Sequence, residues 1–123
     1  MALHFEKVAV IWGGTKRAVE AWLNLSPDAL HVHVGIIGWL AAAVATRRAL
    51  DNPLPWALLL AAELINEFID LNQPAGSIES NWPASQHDIL NTMAMPTLVF
   101  AFLRARRWWT ERRGGEVEVE AEA

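Results

Sequence analysis

Residues 54–71 read LPWALLLAAELINEFIDL. Residues 54–62 carry no charge, yet Glu63, Asn66, Glu67 and Asp70 crowd the second half of the same run. At about 100° per residue on a helix, Asn66, Glu67 and Asp70 lie at about 300°, 40° and 340° from Glu63. The polar residues therefore form one stripe about 100° wide, and the rest of the helix is apolar. A charged acid near the centre of a bilayer costs about 2.5–3.5 kcal/mol on insertion scales. Glu63 and Glu67 should therefore face the bundle interior or a protein partner, hydrogen-bonded or protonated.

Two further stretches lack ionisable groups, 34–45 (VGIIGWLAAAVA) and 93–103 (MAMPTLVFAFL). With 54–62, each extends to roughly 18–20 residues, the length that crosses a bilayer. A soluble helical bundle needs a polar face on every helix, and 34–45 and 54–62 offer none in any rotation. The expected fold is all-α: an integral membrane helical bundle with three transmembrane helices at about 28–48, 53–72 and 86–107. An N-terminal amphipathic interfacial helix is expected over about 3–23, where Val8, Ile11, Trp12, Val19 and Trp22 share one side. An ordinary amphipathic helix packed on the bundle is the alternative there. The chain's 123 residues make one domain over 1–113.

Local signals set the boundaries. Ser26-Pro27-Asp28 combines a cap, a first-turn proline and an acid at the positive helix end. Asp51-Asn52-Pro53 is the next turn. Residues 73–86 (QPAGSIESNWPASQ) read as a loop, and Ser85 with Asp88 resembles a capping box that opens the fourth helix. Pro96 lies inside that helix and should kink it. Residues 114–123 are acidic and expected to be disordered. No signal peptide is read at the N-terminus, because 5–12 (FEKVAVIW) is short and charged. The absence of Cys excludes disulfides and thiol chemistry.

Charge distribution gives an orientation. Arg47 and Arg48 follow the second helix, Arg104, Arg106, Arg107, Arg112 and Arg113 end the fourth, and the 73–86 loop has no Lys or Arg. Three spans put all of these Arg on one side, which makes that side cytoplasmic, with the C-terminus, in a bacterial inner membrane. Trp56, Trp108 and Trp109 fall at the same boundary as interfacial anchors, with the Arg residues snorkelling there or binding anionic lipid. Lys7, Lys16 and Arg17 would then lie outside. Nucleic-acid binding is not expected beside an acidic tail.

The fourth helix repeats the polar pattern. Asn91 and Thr92 lie at about 300° and 40° from Asp88. Span polarity should bring Asp70 level with Asp88, and Asn66 and Glu67 level with Asn91 and Thr92, with Glu63 deepest. His31, His33 and His87 enter the same outer region. Four chemistries fit: polar residues satisfying each other between helices, recognition of a lipid headgroup or partner residue, metal binding by His and carboxylates, and acid/base work on a lipid-linked substrate. No His-x-x-Glu spacing supports the metal, and His31 and His33 point about 160° apart. No nucleophile motif, phosphate loop or dinucleotide fingerprint is present. The expected role is non-catalytic, without a cofactor: binding or positioning a polar group through the carboxylate/Asn stripe. Membrane lipids are the expected partners, and oligomers are possible.

Glu63, Leu64 and Asn66, followed by Asp88, Asn91 and Thr92, resemble the E-L-x-Q and the D-x-x-x-N-T or D-x-x-N-x-x-G signatures in the C-terminal half of the VanZ-like family of small bacterial integral membrane proteins. Asn66 stands where Gln is usual, and Met93-Ala94-Met95-Pro96 replaces a glycine-rich stretch. The resemblance covers 63–102 and implies a cell-envelope membrane protein, in one form an envelope enzyme or antibiotic-resistance factor. The chain is also similar to short bacterial membrane proteins with D-A-L-H-V-H at the start of one span and N-E-x-x-D-L at the end of the next, here Asp28–His33 and Asn66–Leu71. The rival expectation for this multi-Trp chain is an accessory structural subunit of a larger bacterial membrane protein complex.

Overall fold

A computed structural model describes the backbone of residues 2–74 and 80–122 and the side chains of 5–74 and 80–113. Four helices follow in order: α1 (Ala2–Leu23), α2 (Pro27–Thr46), α3 (Pro53–Leu71) and α4 (Trp82–Glu122). No strand occurs among the described residues. The chain is all-α, as the residue patterns predict.

The helix ends follow local chemistry. Ser26 accepts from the Ala29 N–H at 3.2 Å and caps α2, with Pro27 in its first turn. Asn52 does the same for α3 through the Leu54 N–H at 3.0 Å. Asn24 and Arg47 take left-handed conformations, each with φ 53°. They close α1 and α2 by turning following N–H groups back onto the Glu20 and Ala43 carbonyls, each at 3.0 Å.

At α4 the expectation needs correction. The helix begins at Trp82, because Asn81 Oδ1 accepts from the Ala84 N–H at 2.9 Å. Ser85 is therefore inside the helix and does not cap it. α4 contains Pro96, and its backbone is helical to Glu122. Glu and Ala are strong helix formers. The side chains beyond Arg113 lie outside the described residues.

α2 packs on α3 and α4, which also pack on each other, while α1 lies against α3. The buried stripe of α2 is His31, Gly35, Trp39 and Ala43, one residue per turn. Gly35 is the closest approach: a Cβ there would stand 2.1 Å from the Thr92 carbonyl oxygen. Pro96 has no N–H to offer that carbonyl from the next turn of α4. The bare backbone of α2 thus lies against it. Below this contact Trp39, Leu59 and Met93 form an apolar cluster with Trp56, Ile89 and Phe100 around it.

Burial is inverted. Glu63, Glu67, Asp70, Ser85 and Thr92 are at most 5% exposed, while Ile37, Ile65, Phe68, Leu90, Leu98 and Phe102 are at least 60% exposed. α2 alone among the described helices is both long and apolar enough throughout to cross a membrane. The three-span expectation meets that criterion only there. α3 carries its three acids within one span length, and α4 opens with Gln, His, Asp and Asn.

Candidate functional site

The stripe on α3 is a buried polar nucleus, and each acid has its own partners. Deepest is Glu63, whose Oε1 accepts from the Thr92 hydroxyl at 2.8 Å and lies 3.3 Å from His31 Nδ1. His31 Nδ1 also faces Thr92 Oγ1 at 3.0 Å, so α2, α3 and α4 meet at three side chains. On the other side of the ring, His31 Nε2 lies 3.6 Å from Asp88 Oδ2. One turn outward on α3, Glu67 accepts from the Ser85 hydroxyl at 2.5 Å and from Asn66 Nδ2 at 3.0 Å. Asp70, 1% exposed, accepts from Lys16 Nζ at 2.6 Å and Gln73 Nε2 at 2.9 Å. Trp12 Nε1 donates to Asn66 Oδ1 at 2.9 Å. Through Trp12 and Lys16, one turn apart, α1 is fastened to the outer half of α3.

Glu63, Glu67, Asp70, Asn66, Asp88, Thr92 and His31 are thus brought together. The register differs by about one turn. Glu63, not Glu67, meets Thr92, and Glu67 meets Ser85. α4 starts at Trp82 rather than near 86, so it is one turn longer at this end than expected.

Three expected members, His33, His87 and Asn91, lie elsewhere. His33 is exposed, and its Nδ1 turns back to the Ala29 carbonyl at 2.6 Å on its own helix. His87 is exposed and sits 3.3 Å from Asp28. Asn91 donates to Asp28 at 3.1 Å, so His87, Asn91 and Asp28 form a separate rim. Residue spacing shows that His33 opposes His31, but it does not show which of the two is buried. Ser85, Lys16, Trp12 and Gln73 are site residues that sequence patterns do not reveal. Ser85 carries a capping signature that hides its inward role, and the two α1 contacts bridge 54 positions.

A cavity of about 380 Å³ opens between α1, α2 and α3. Trp12, Val19, Leu30, Val34 and Leu59 wall it, and Lys16, His31, Glu63 and Asn66 border it. It offers an apolar chamber with a polar end.

The basic end is a separate surface. Arg47, Arg48, Arg104, Arg106, Arg107, Trp108 and Trp109 are exposed. Arg104 donates to the Asp51 carbonyl at 3.3 Å, and Arg107 to the Asp51 and Glu111 carboxylates at 3.0 and 2.9 Å. Arg112 lies over the Trp108 ring at 3.9 Å. Trp56 donates to Thr97 at 3.0 Å and stacks on Phe100. These contacts tie the α2–α3 turn to α4.

Fold and site together define an all-α chain built around a buried carboxylate–imidazole–hydroxyl nucleus. Comparison with protein-family models, with curated proteins and with solved structures returns no match.

Proposed function

We propose that this chain is an integral membrane protein in which α2, α3 and α4 span a bacterial inner membrane with the C-terminus cytoplasmic. In this reading it binds or positions a polar group, from a lipid headgroup or a partner protein, at the nucleus around Glu63. The observation that carries the reading is the inverted burial: acids, hydroxyls and an imidazole inside, large apolar side chains outside. In water such a surface would aggregate, whereas in lipid it is the expected arrangement. Turning Glu63, Glu67 and Asp70 inward leaves the outer face of α3 apolar (Leu58, Leu64, Ile65 and Phe68 are exposed). α1 then lies at the outer interface with Val8, Ile11 and Trp22 exposed to it.

The cavity supports binding over a purely structural nucleus. His31, Glu63 and Asn66 border a chamber with apolar walls, the shape that accepts a chain with a polar head. Two of the residues that carry the VanZ-like resemblance, Glu63 and Thr92, are hydrogen-bonded partners, which supports a shared polar nucleus at an envelope site. Native mass spectrometry after mild detergent extraction tests the proposal. Ala62 also lines the chamber, and bound lipid that is lost in Ala62→Trp, which fills it, supports recognition. Equal loading of that variant counts against it, and partitioning into buffer without detergent defeats the membrane reading itself. A stoichiometric large partner instead supports an accessory subunit.

A further inference from the structure

Glu63 and Glu67 stand one turn apart on α3, and the imidazole of His31 faces them from α2. One donor atom from each of the three lies within 4.8 Å of the other two. The measured edge, His31 Nδ1 to Glu63 Oε1, is 3.3 Å. Two ligands of a tetrahedral ion with bonds of about 2.0–2.1 Å are about 3.3–3.4 Å apart. From this geometry we propose that His31, Glu63 and Glu67 hold a divalent transition-metal ion of the zinc type.

Three independent features point the same way. The far nitrogen of His31 faces Asp88 at 3.6 Å, so a carboxylate stands behind the ring as it does behind many metal-bound histidines. Each ligand carboxylate is held by neutral donors, Glu63 by Thr92 and Glu67 by Ser85 and Asn66. These donors orient the oxygens and do not cancel their charge. Lys16 borders the same chamber and is 2.6 Å from Asp70. A dication bound through His31 Nδ1 would neutralise both buried carboxylates at once, with Nε2 turned toward Asp88. Finally, the cavity borders His31 and Glu63, so a fourth coordination position would open onto it. Imidazole with two carboxylates suits zinc or iron better than calcium or magnesium, which take mainly oxygen ligands. The inference rests on the nucleus being a binding site, not on the number of spans.

The test uses the full chain in detergent micelles, with Co²⁺ as a visible-absorbing probe and zinc as competitor. Wild type should bind one Co²⁺ per chain with tetrahedral absorption, displaced by zinc. Glu67→Gln and His31→Gln should each weaken binding by more than about 100-fold, and Asp88→Asn by about 10–100-fold. His87→Gln, on the exposed rim, should bind as wild type does. Absence of stoichiometric Co²⁺ binding by monodisperse wild type overturns the proposal, as does a Glu67→Gln variant that binds like wild type. If the chain binds lipid in its chamber but no Co²⁺, the metal inference alone has failed.

Discussion

Replacing Gly35 by alanine tests the packing that assembles the nucleus. An added Cβ would meet the Thr92 carbonyl oxygen at 2.1 Å and its carbon at 2.9 Å. A normal C···O contact is about 3.3 Å, so α2 and α4 would have to separate by about 1.2 Å. Both partners are backbone, and no rotamer change relieves the clash. Overpacking of this kind costs about 1–3 kcal/mol, and the rigid setting places Gly35→Ala in the upper half of that range. Alanine's better helix propensity returns about 1 kcal/mol, leaving a net loss of about 1–2 kcal/mol. Gly14 supplies the internal control, since a Cβ there meets nothing within 4 Å, and Gly14→Ala should gain up to about 1 kcal/mol. The same substitution is thus expected to have opposite signs at two positions. Thermal unfolding in micelles, followed by Trp fluorescence, should separate the variants by at least about 5 °C. A Gly35→Ala variant as stable as Gly14→Ala would refute the close α2–α4 approach.

Other substitutions probe the polar pairs. Lys16→Met leaves Asp70 buried without its cation and should cost about 3 kcal/mol, and adding Asp70→Asn should recover most of it in the same unfolding assay. Thr92→Val keeps the side-chain shape but removes the donor to Glu63, for a loss of about 1–3 kcal/mol, whereas Thr92→Ser should lose less. Ser85→Ala should cost about 1–3 kcal/mol by taking a donor from Glu67, read in the same unfolding assay. Reversing the basic end with Arg47→Glu, Arg48→Glu, Arg104→Glu and Arg106→Glu together should disturb insertion orientation, read by protease protection of a C-terminal tag.

Much of the site was legible because its signals are local. The angular spacing of Glu63, Glu67 and Asp70 within one helix showed that they share a face, and a face of acids on an apolar helix has to be turned inward. Ser26-Pro27 and Asn52-Pro53 marked helix starts for equally local reasons. What was hidden depends on relations between helices. The register pairs Glu63 with Thr92, and Asn81 takes the capping role of α4, yet Ser85-x-x-Asp88 is just as good a cap in sequence terms. Trp12 and Lys16 looked like members of an interfacial helix, and nothing near them signals that they reach Asn66 and Asp70. His31 and His33 differ only in facing. Burial of one and exposure of the other is decided by Gly35, which lets α2 approach α4 on the His31 side.

The absence of cysteine makes single-cysteine spin labelling a direct test of the membrane-spanning bundle. Labels at Ile37, Ile65 and Leu98, one on the exposed apolar face of each of α2, α3 and α4, should be read in lipid vesicles by collision with oxygen and with a water-soluble nickel chelate. High oxygen and low nickel accessibility at all three positions is the expected result. Nickel accessibility at Ile65 and Leu98 comparable to that of the exposed turn residue Ala49 would contradict it.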